Sequence, residues 1–258
     1  MRYIFNILNL LVLICLLGCV TEYNVVTKKQ EVILYDTDKE IRIGDSVAIK
    51  IENEYDVIED VDVNERVEGI LDRIVGVCDR KNLKYFIKVL EGEDLNAISL
   101  PGGYVYIFKG LYDSVDNDDQ LAGVIAHEVG HITAKHSIKR LQNVYGALML
   151  QLLAVQTAGE VSGGVNLAIN SLFVAYSQDD EFLADKLSVK YMKKAGYDPR
   201  EMVVFLNKIK KDHEKAPLKQ INYWKTHPNP SKRIAIVNQE INGKLEFKDY
   251  ITLTEERF

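Results

Sequence analysis

Residues 127–131 read His-Glu-Val-Gly-His, and this string is the part of the chain best suited to chemistry. Side chains four residues apart on a helix lie on the same face, so His127 and His131 can bind one metal ion between them. Glu128 lies beside the first of these ligands, where its carboxylate can reach a water molecule bound to the same ion. In an H-E-x-x-H string the two imidazoles bind Zn²⁺ and the glutamate is the general base of a hydrolysis.

The residues around this string have the pattern of an amphipathic helix. One buried stripe is predicted from apolar residues at spacings of three and four, namely Leu121, Val124, Ile125, Val129 and Ile132. Asp118 and Asp119 precede the stripe and suit a helix N-terminus, either as caps or by opposing the helix dipole. The alternative is that two core or surface histidines share one face by accident.

A catalytic zinc ion needs a third protein ligand and an open position for water. Cysteine is a poor candidate, because Cys15 and Cys19 lie in the N-terminal segment and Cys78 stands alone. Glu181 and Asp185 are spaced i, i+4, so both can face the metal helix, the predicted helix that carries His127 and His131. We predict that Glu181 binds the metal and that Asp185 accepts the spare N–H of a ligating histidine. The arrangement is similar to that of gluzincin proteases, whereas the alternative is a solvated acidic helix face.

Two further histidines are not expected to reach the metal. His136 lies five residues after His131, so on a continuous helix it points about 140° away. We expect His136 and His213 to pack in a second row or to face solvent.

Four ordered motifs resemble those of the HtpX-like zinc metallopeptidases, a family with BepA and LoiP types in the bacterial envelope. Oma-type proteases and the CAAX prenyl proteases are more distant relatives. The resemblance covers roughly residues 38–242. Its motifs are N-A-x-x-L-P-G-G at 96–103, the extended metal helix at 127–136, E-x-x-A-D at 181–185 and T-H-P-x-x-x-x-R at 226–233.

The resemblance implies an α+β fold that is mainly helical, a gluzincin-type zincin domain with a small β-sheet. It implies a zinc-dependent endopeptidase with one catalytic ion, which acts on misfolded or damaged membrane and envelope proteins. It implies the same roles as the spacing argument. The metal ligands are His127, His131 and Glu181, the base is Glu128, and Asp185 is the carboxylate behind a ligating histidine. A chaperone-like envelope assembly factor that uses this fold for binding, with little proteolysis, is the alternative function.

The resemblance also gives roles to two residues near the C-terminus. His227 belongs on a loop near the metal, and in some relatives this histidine blocks the open position of the zinc ion. Arg233 follows it on a helix and is counted with the catalytic residues. The alternatives are a solvent-exposed loop histidine for His227 and a surface helix charge for Arg233.

The N-A-x-x-L-P-G-G segment is the predicted substrate-binding element. Asn96, Gly102 and Gly103 lie between two strand-like runs, and the glycines permit positive φ and close backbone approach. The functional interpretation is an edge strand that binds an extended substrate by β-augmentation. The alternative is an ordinary hairpin turn.

The N-terminus is predicted to be a sorting signal. Residues 1–18 read as a signal peptide with a lipobox, at which Cys19 would be lipidated. An uncleaved membrane helix is the alternative, although the apolar stretch is short for a span. Residues 19–37 would be the lipidated cysteine and a polar tether, and 38–258 the zinc metallopeptidase domain. This places the protein on a membrane of the bacterial envelope, facing the periplasm, and Val20 favours the outer membrane.

Composition limits the partners. The formal net charge of −6 gives no sign of nucleic-acid binding. The expected partners are unfolded or misfolded envelope proteins and a membrane reached through the lipid anchor, and an oligomer is left open. Residues 141–178 are predicted to form a helical hairpin beside the active site, with a membrane-touching or oligomer-forming hairpin as the alternative. The other predicted elements are helices at 38–54, 61–78 and 199–212, strands at 83–90, 104–108 and 250–254, and a loop at 219–229.

Overall fold

The computed structural model describes residues 20–33, 35–143, 175–215 and 223–243. The predicted signal peptide and Cys19, most of the predicted 141–178 hairpin and the predicted strand at 250–254 therefore lie outside the described residues. Within the described part of the chain, no helix combines the length and the apolar character needed to cross a bilayer.

The described chain is mainly helical with two small sheets, as predicted. Its helices are α1 Thr37–Glu54, α2 Val61–Val75, α3 Lys109–Ser114, α4 Asp118–Thr133, α5 Gln178–Ala195, α6 Arg200–Lys215, α7 Tyr223–Thr226 and α8 Pro230–Asn242. Residues 136–143 are helical as well. The strands are β1 Val20–Asn24, β2 Lys29–Ile33, β3 Phe86–Leu90, β4 Ala97–Ser99 and β5 Tyr104–Phe108, and Pro101–Gly103 forms a 3₁₀ turn.

The first two helices begin where aspartates cap them. The Asp36 carboxylate accepts a hydrogen bond from the Lys39 amide, and Asp60 does the same for Val63. Helix α2 ends at Val75, three residues before the predicted end, because Gly76 follows and glycine is a poor helix former.

The larger sheet places a short strand beside the metal helix. Its strand order is β3-β5-β4, with β5 parallel to β3 and antiparallel to β4. Strand β4 is thus at one edge, and it packs against α4. Its three residues are buried, and so are the last four residues of β5, so the sheet forms part of the core.

Helix α4 carries the H-E-x-x-H string through the centre of the molecule. Asn117 is its N-cap and accepts from the Gln120 amide at 2.9 Å. Asp118 and Asp119 therefore lie in the first turn, where they oppose the dipole. Every residue from Gln120 to Thr133 is buried, so the prediction of a single buried stripe was wrong. The helix is covered on several sides because α2, α5, α6 and β4 all pack against it.

The segment predicted to be a polar tether is a β-hairpin instead. Strands β1 and β2 pair antiparallel from Val20↔Ile33 to Asn24↔Lys29. Asn24 is 2% exposed, and its side-chain amide donates to the Ala134 carbonyl at 3.2 Å. This bond satisfies one of the carbonyls left open at the end of α4, which explains why the hairpin packs on the domain.

A buried ion pair joins three parts of the fold. The Arg80 guanidinium donates to both oxygens of Glu40 on α1, at 2.8 and 2.7 Å. The same guanidinium donates to the Ile132 carbonyl near the end of α4, at 3.2 Å. Because Gly102 N also lies 3.4 Å from Glu40, this pair connects α1, the metal helix and the 3₁₀ turn.

Candidate metal centre

Four buried side chains converge at the middle of α4. They are His127, His131, Glu181 and His227, and their potential ligand atoms all lie within 4.8 Å of one another. The two α4 histidines bring their Nε2 atoms to 3.0 Å of each other. Glu181 Oε1 lies 3.3 Å from His131 Nε2 and 3.1 Å from His227 Nδ1. The structure thus brings together the three predicted ligands and the predicted loop histidine.

Close packing of α5 against α4 places Glu181 in this cluster. Helix α5 begins after Ser177, whose hydroxyl accepts from the Asp180 amide, so Glu181 lies in the first turn. Gly130, within the H-E-x-x-H string, permits the approach, because a Cβ there would lie 3.1 Å from the Ala184 carbonyl oxygen. The glycine and the histidines are therefore parts of one packing arrangement.

The polar groups of this site fit a metal ion with a bound water. Glu128 is fully buried, and neither carboxylate oxygen makes a hydrogen bond. His227 Nε2 lies 3.4 Å from Oε1, close enough for ionic attraction but without hydrogen-bond geometry. Because buried carboxylates are normally satisfied, Glu128 requires a partner such as a metal-bound water. Two imidazoles and a carboxylate are also a donor set found in catalytic zinc sites.

The electrostatics favour the deprotonated, metal-binding forms of His131 and Glu181. Burial lowers the pKa of His131 well below its ordinary value, which keeps the ring neutral. Burial would raise the pKa of Glu181, but His227 and Arg233 outweigh it and hold that pKa well below the ordinary value. For His127, burial and Arg233 lower the pKa, whereas Asp185 and Glu181 raise it more, to about 9. A metal ion must therefore displace a proton from His127.

Asp185 and Arg233 lie directly behind His127. Asp185 Oδ1 is 2.9 Å from His127 Nδ1, the ring nitrogen that faces away from the other ligands. Arg233 donates to both Asp185 oxygens, at 2.8 and 3.0 Å, and its Nη1 lies 3.2 Å from Glu181 Oε2. Arg233 is fully buried rather than a surface charge, and His227 is 1% exposed. The arginine thus forms ion pairs with both Glu181 and Asp185 of α5.

His136 and Tyr176 contact His131. Second-row packing was one of the two expectations for His136, whereas the Tyr176 contact was not predicted. His136 Nδ1 lies 2.9 Å from His131 Nδ1, and the Tyr176 ring stacks on His131 at a centroid distance of 3.8 Å. The 140° expectation assumed a continuous helix. Helix α4 instead ends at Thr133, and Lys135 has a left-handed backbone with a φ of +61°, which turns His136 back towards His131. A left-handed lysine has no clear sequence signal.

The predicted substrate-binding residues are divided between two places. Asn96 is buried and accepts from the Thr226 hydroxyl at 3.1 Å, so it contacts the segment that carries His227. A Cβ on Gly102 would be nearest to Ile41, and one on Gly103 nearest to Lys84. The two glycines thus pack against α1 and the loop before β3, not against the metal ligands.

Residues 223–227, which comprise α7 and His227 and are called the α7 segment below, close the site over the edge of the sheet. The Tyr223 amide donates to the Leu95 carbonyl at 3.0 Å, just before β4. The Tyr176 amide donates to the Thr226 carbonyl at 3.2 Å from the other side. With every member of the cluster at most 1% exposed, a peptide cannot reach the site in this arrangement.

Buried histidine and glutamate side chains that could bind a metal, beside a glutamate without a hydrogen bond, are typical of a metallopeptidase centre. The family comparison agrees, since the model "Peptidase family M48" matches residues 62–241. The chain therefore belongs to peptidase family M48 and is a metallopeptidase.

Curated relatives share most of the described domain with this chain. "Beta-barrel assembly-enhancing protease" of Escherichia coli (strain K12) is 22% identical over 215 residues, which cover 79% of this chain and 44% of that protein. The "Putative beta-barrel assembly-enhancing protease" of Vibrio cholerae is 25% identical over 217 residues, covering 76% and 43%. "Mitochondrial metalloendopeptidase OMA1" of Schizosaccharomyces pombe is 28% identical over 176 residues, covering 67% and 51%. The chain spans about half or less of the length of these relatives.

Proposed function

We propose that this protein is a zinc-dependent endopeptidase of the bacterial cell envelope that cleaves unfolded or misfolded proteins. One observation carries the proposal: Glu128, fully buried and without a hydrogen bond, lies beside a cluster of two histidines and a glutamate. That arrangement suits a general base next to a metal-bound water. His127, His131 and Glu181 would hold one zinc ion.

The chemistry follows from the positions of the buried groups. Zinc held by His127, His131 and Glu181 would supply a bound water with a pKa lowered to about 7 and a Lewis acid for the scissile carbonyl. Glu128 accepts the proton of the attacking water and returns it to the leaving amine. Asp185 and Arg233 keep the His127 ring oriented from behind, through the contacts at 2.9 and 2.8 Å.

Substrate entry requires the α7 segment to move. In the described arrangement His227 contacts both Glu181 and Glu128, and Tyr223 and Thr226 hold its segment on the stretch before β4. We propose that this segment swings away as a unit. Movement would free Asn96 and the β4 edge, along which an extended peptide could then bind by β-augmentation.

The envelope location and the substrate class rest on the N-terminus and on the relatives. The apolar stretch that ends at Cys19 supports a lipid anchor, with the domain facing the periplasm and the outer membrane favoured. Relatives named for β-barrel assembly and for mitochondrial metalloendopeptidase activity support protein substrates near membranes. Foldedness, rather than a sequence motif, would select those substrates.

Cleavage of casein by the full chain in detergent tests the proposal. The reaction is run with zinc, with a chelator, and with Glu128→Gln beside the exposed-site control Glu65→Gln. We expect the chelator to abolish cleavage and Glu128→Gln to lose at least ~10²-fold in rate while it keeps one zinc ion per chain. Full activity of Glu128→Gln would refute its role as base, and loss of zinc from this variant would indicate a structural role.

The complete burial of the cluster favours one alternative, a chaperone-like envelope assembly factor that binds proteins and cuts little. The two functions differ in their need for Glu128. A deletion strain rescued fully by Glu128→Gln would support the assembly factor, whereas rescue by Glu65→Gln alone would support the peptidase.

A further inference from the structure

His131 makes a second contact on the side that faces away from the cluster. Its Nε2 faces His127 and Glu181, whereas its Nδ1 lies 2.9 Å from His136 Nδ1. The other ring nitrogen of His136, Nε2, lies 3.3 Å from Asp180 Oδ1. The His136 side chain is 2% exposed, so bulk water does not replace these partners.

The positions of the protons follow from metal binding at Nε2. A neutral imidazole carries one ring proton, so His131 with Nε2 as ligand carries its proton on Nδ1. That proton is donated to His136 Nδ1, which must then be the acceptor. His136 consequently carries its own proton on Nε2, the nitrogen that lies within ion-pair distance of Asp180 Oδ1. This series of side chains therefore ends at a carboxylate.

Asp180 is itself held in place by the cap of α5. The Ser177 hydroxyl donates to Asp180 Oδ2 at 2.7 Å, and the Asp180 amide donates back to that hydroxyl at 3.2 Å. Glu181 is the next residue. The first turn of α5 therefore supplies both a proposed metal ligand, Glu181, and the carboxylate that lies behind His136.

The two ligating histidines are supported in different ways. His127 has the Asp185 carboxylate directly at its Nδ1. We propose that His136, backed by Asp180, is the corresponding positioning residue for His131, which it fixes in the tautomer and ring orientation that metal binding needs. The proposal rests on the metal site of the proposed function. Partners of this kind typically change metal affinity by about 10–100-fold.

Two substitutions separate a hydrogen-bonding role from a packing role. His136→Phe keeps a ring of similar size but removes the acceptor. His136→Asn loses the ring but can place its amide oxygen near the position of Nδ1. Each full-length variant is titrated with Zn²⁺ against a chromophoric chelator, Co²⁺ spectra report the ligand field, and the thermal midpoint of the metal-free form reports packing.

We expect His136→Phe to weaken Zn²⁺ binding at least tenfold and to change the Co²⁺ spectrum, with the metal-free midpoint nearly unchanged. His136→Asn should bind Zn²⁺ more tightly than His136→Phe even where its midpoint is lower. Wild-type affinity in His136→Phe, or equal loss in both variants, would overturn the proposal. A wild-type chain that bound no metal would instead overturn the proposed function itself.

Discussion

At the scale of single residues, His227 is the side chain that we propose keeps the site closed. Its Nδ1 lies 3.3 Å from His127 Nε2 and 3.1 Å from Glu181 Oε1, among the atoms that would bind the metal. Its ring also stacks on Tyr223 at 4.7 Å, so the histidine and its helical turn form one unit. A fourth ligand at this place, the His227 nitrogen, would compete with the water that hydrolysis requires.

We therefore predict that His227→Ala cleaves casein faster than the wild type, because the substitution frees the fourth ligand position. Rates with zinc and the bound zinc content are measured together. Slower cleavage at full zinc content would contradict this expectation and would indicate that His227 donates a hydrogen bond to the transition state.

At the scale of elements, the distance between α4 and α5 determines whether the three proposed metal ligands can meet at one point. His127 and His131 belong to α4, and Glu181 belongs to α5, so only helix packing brings them together. Gly130 lies at the contact, where a Cβ would meet the Ala184 carbonyl oxygen at 3.1 Å and the Ala184 Cα at 3.2 Å. These are backbone atoms of a helix, which cannot rotate away as a side-chain end can.

We predict that Gly130→Ala weakens zinc binding and destabilises the fold, because the helices must move apart by a few tenths of an ångström. Gly69→Ala is the matched control, since a Cβ at this helical glycine meets nothing within 4 Å. The control should be neutral or stabilise by up to ~1 kcal/mol, the usual difference between the two residues in a helix. Equal zinc affinity in both variants would mean that the two helices can move apart without disturbing the metal site.

The elements also show what local sequence patterns can reveal. Apolar periodicity was sufficient to predict α1, α4 and β5, because each depends on local spacing. Second-row packing of His136 was one of two expectations, but its direct contact with His131 could not be predicted, since that contact depends on the left-handed backbone of Lys135. Complete burial of α4 could not be predicted either, because neighbours distant in sequence cover its remaining faces.

At the scale of the whole molecule, the Glu40–Arg80 pair holds the N-terminal helix on the catalytic core. Both side chains are at most 4% exposed, and together they reach α1, the end of α4 and the 3₁₀ turn. The sequence offered no sign of this pair, because its members are forty residues apart and neither belongs to a motif.

We predict that Arg80→Leu lowers the free energy of unfolding by about 3–5 kcal/mol, because it leaves the Glu40 carboxylate buried without its cation. The double variant Glu40→Met/Arg80→Leu should recover much of that loss, since it removes both charges. Urea denaturation of the three proteins measures the difference. A single variant as stable as the wild type would show that water or another group replaces the arginine.

The N-terminal hairpin would limit how far the catalytic domain can move from the proposed lipid anchor at Cys19. If Cys19 is the membrane anchor, a free, extended tether from there to residue 37 would let the domain lie up to about 60 Å from the bilayer. Asn24 is instead bonded to Ala134 at the end of the metal helix. That leaves five residues of slack, or about 17 Å of chain. The active site could then contact only proteins in the layer of the periplasm next to the membrane, and it would not reach proteins farther away.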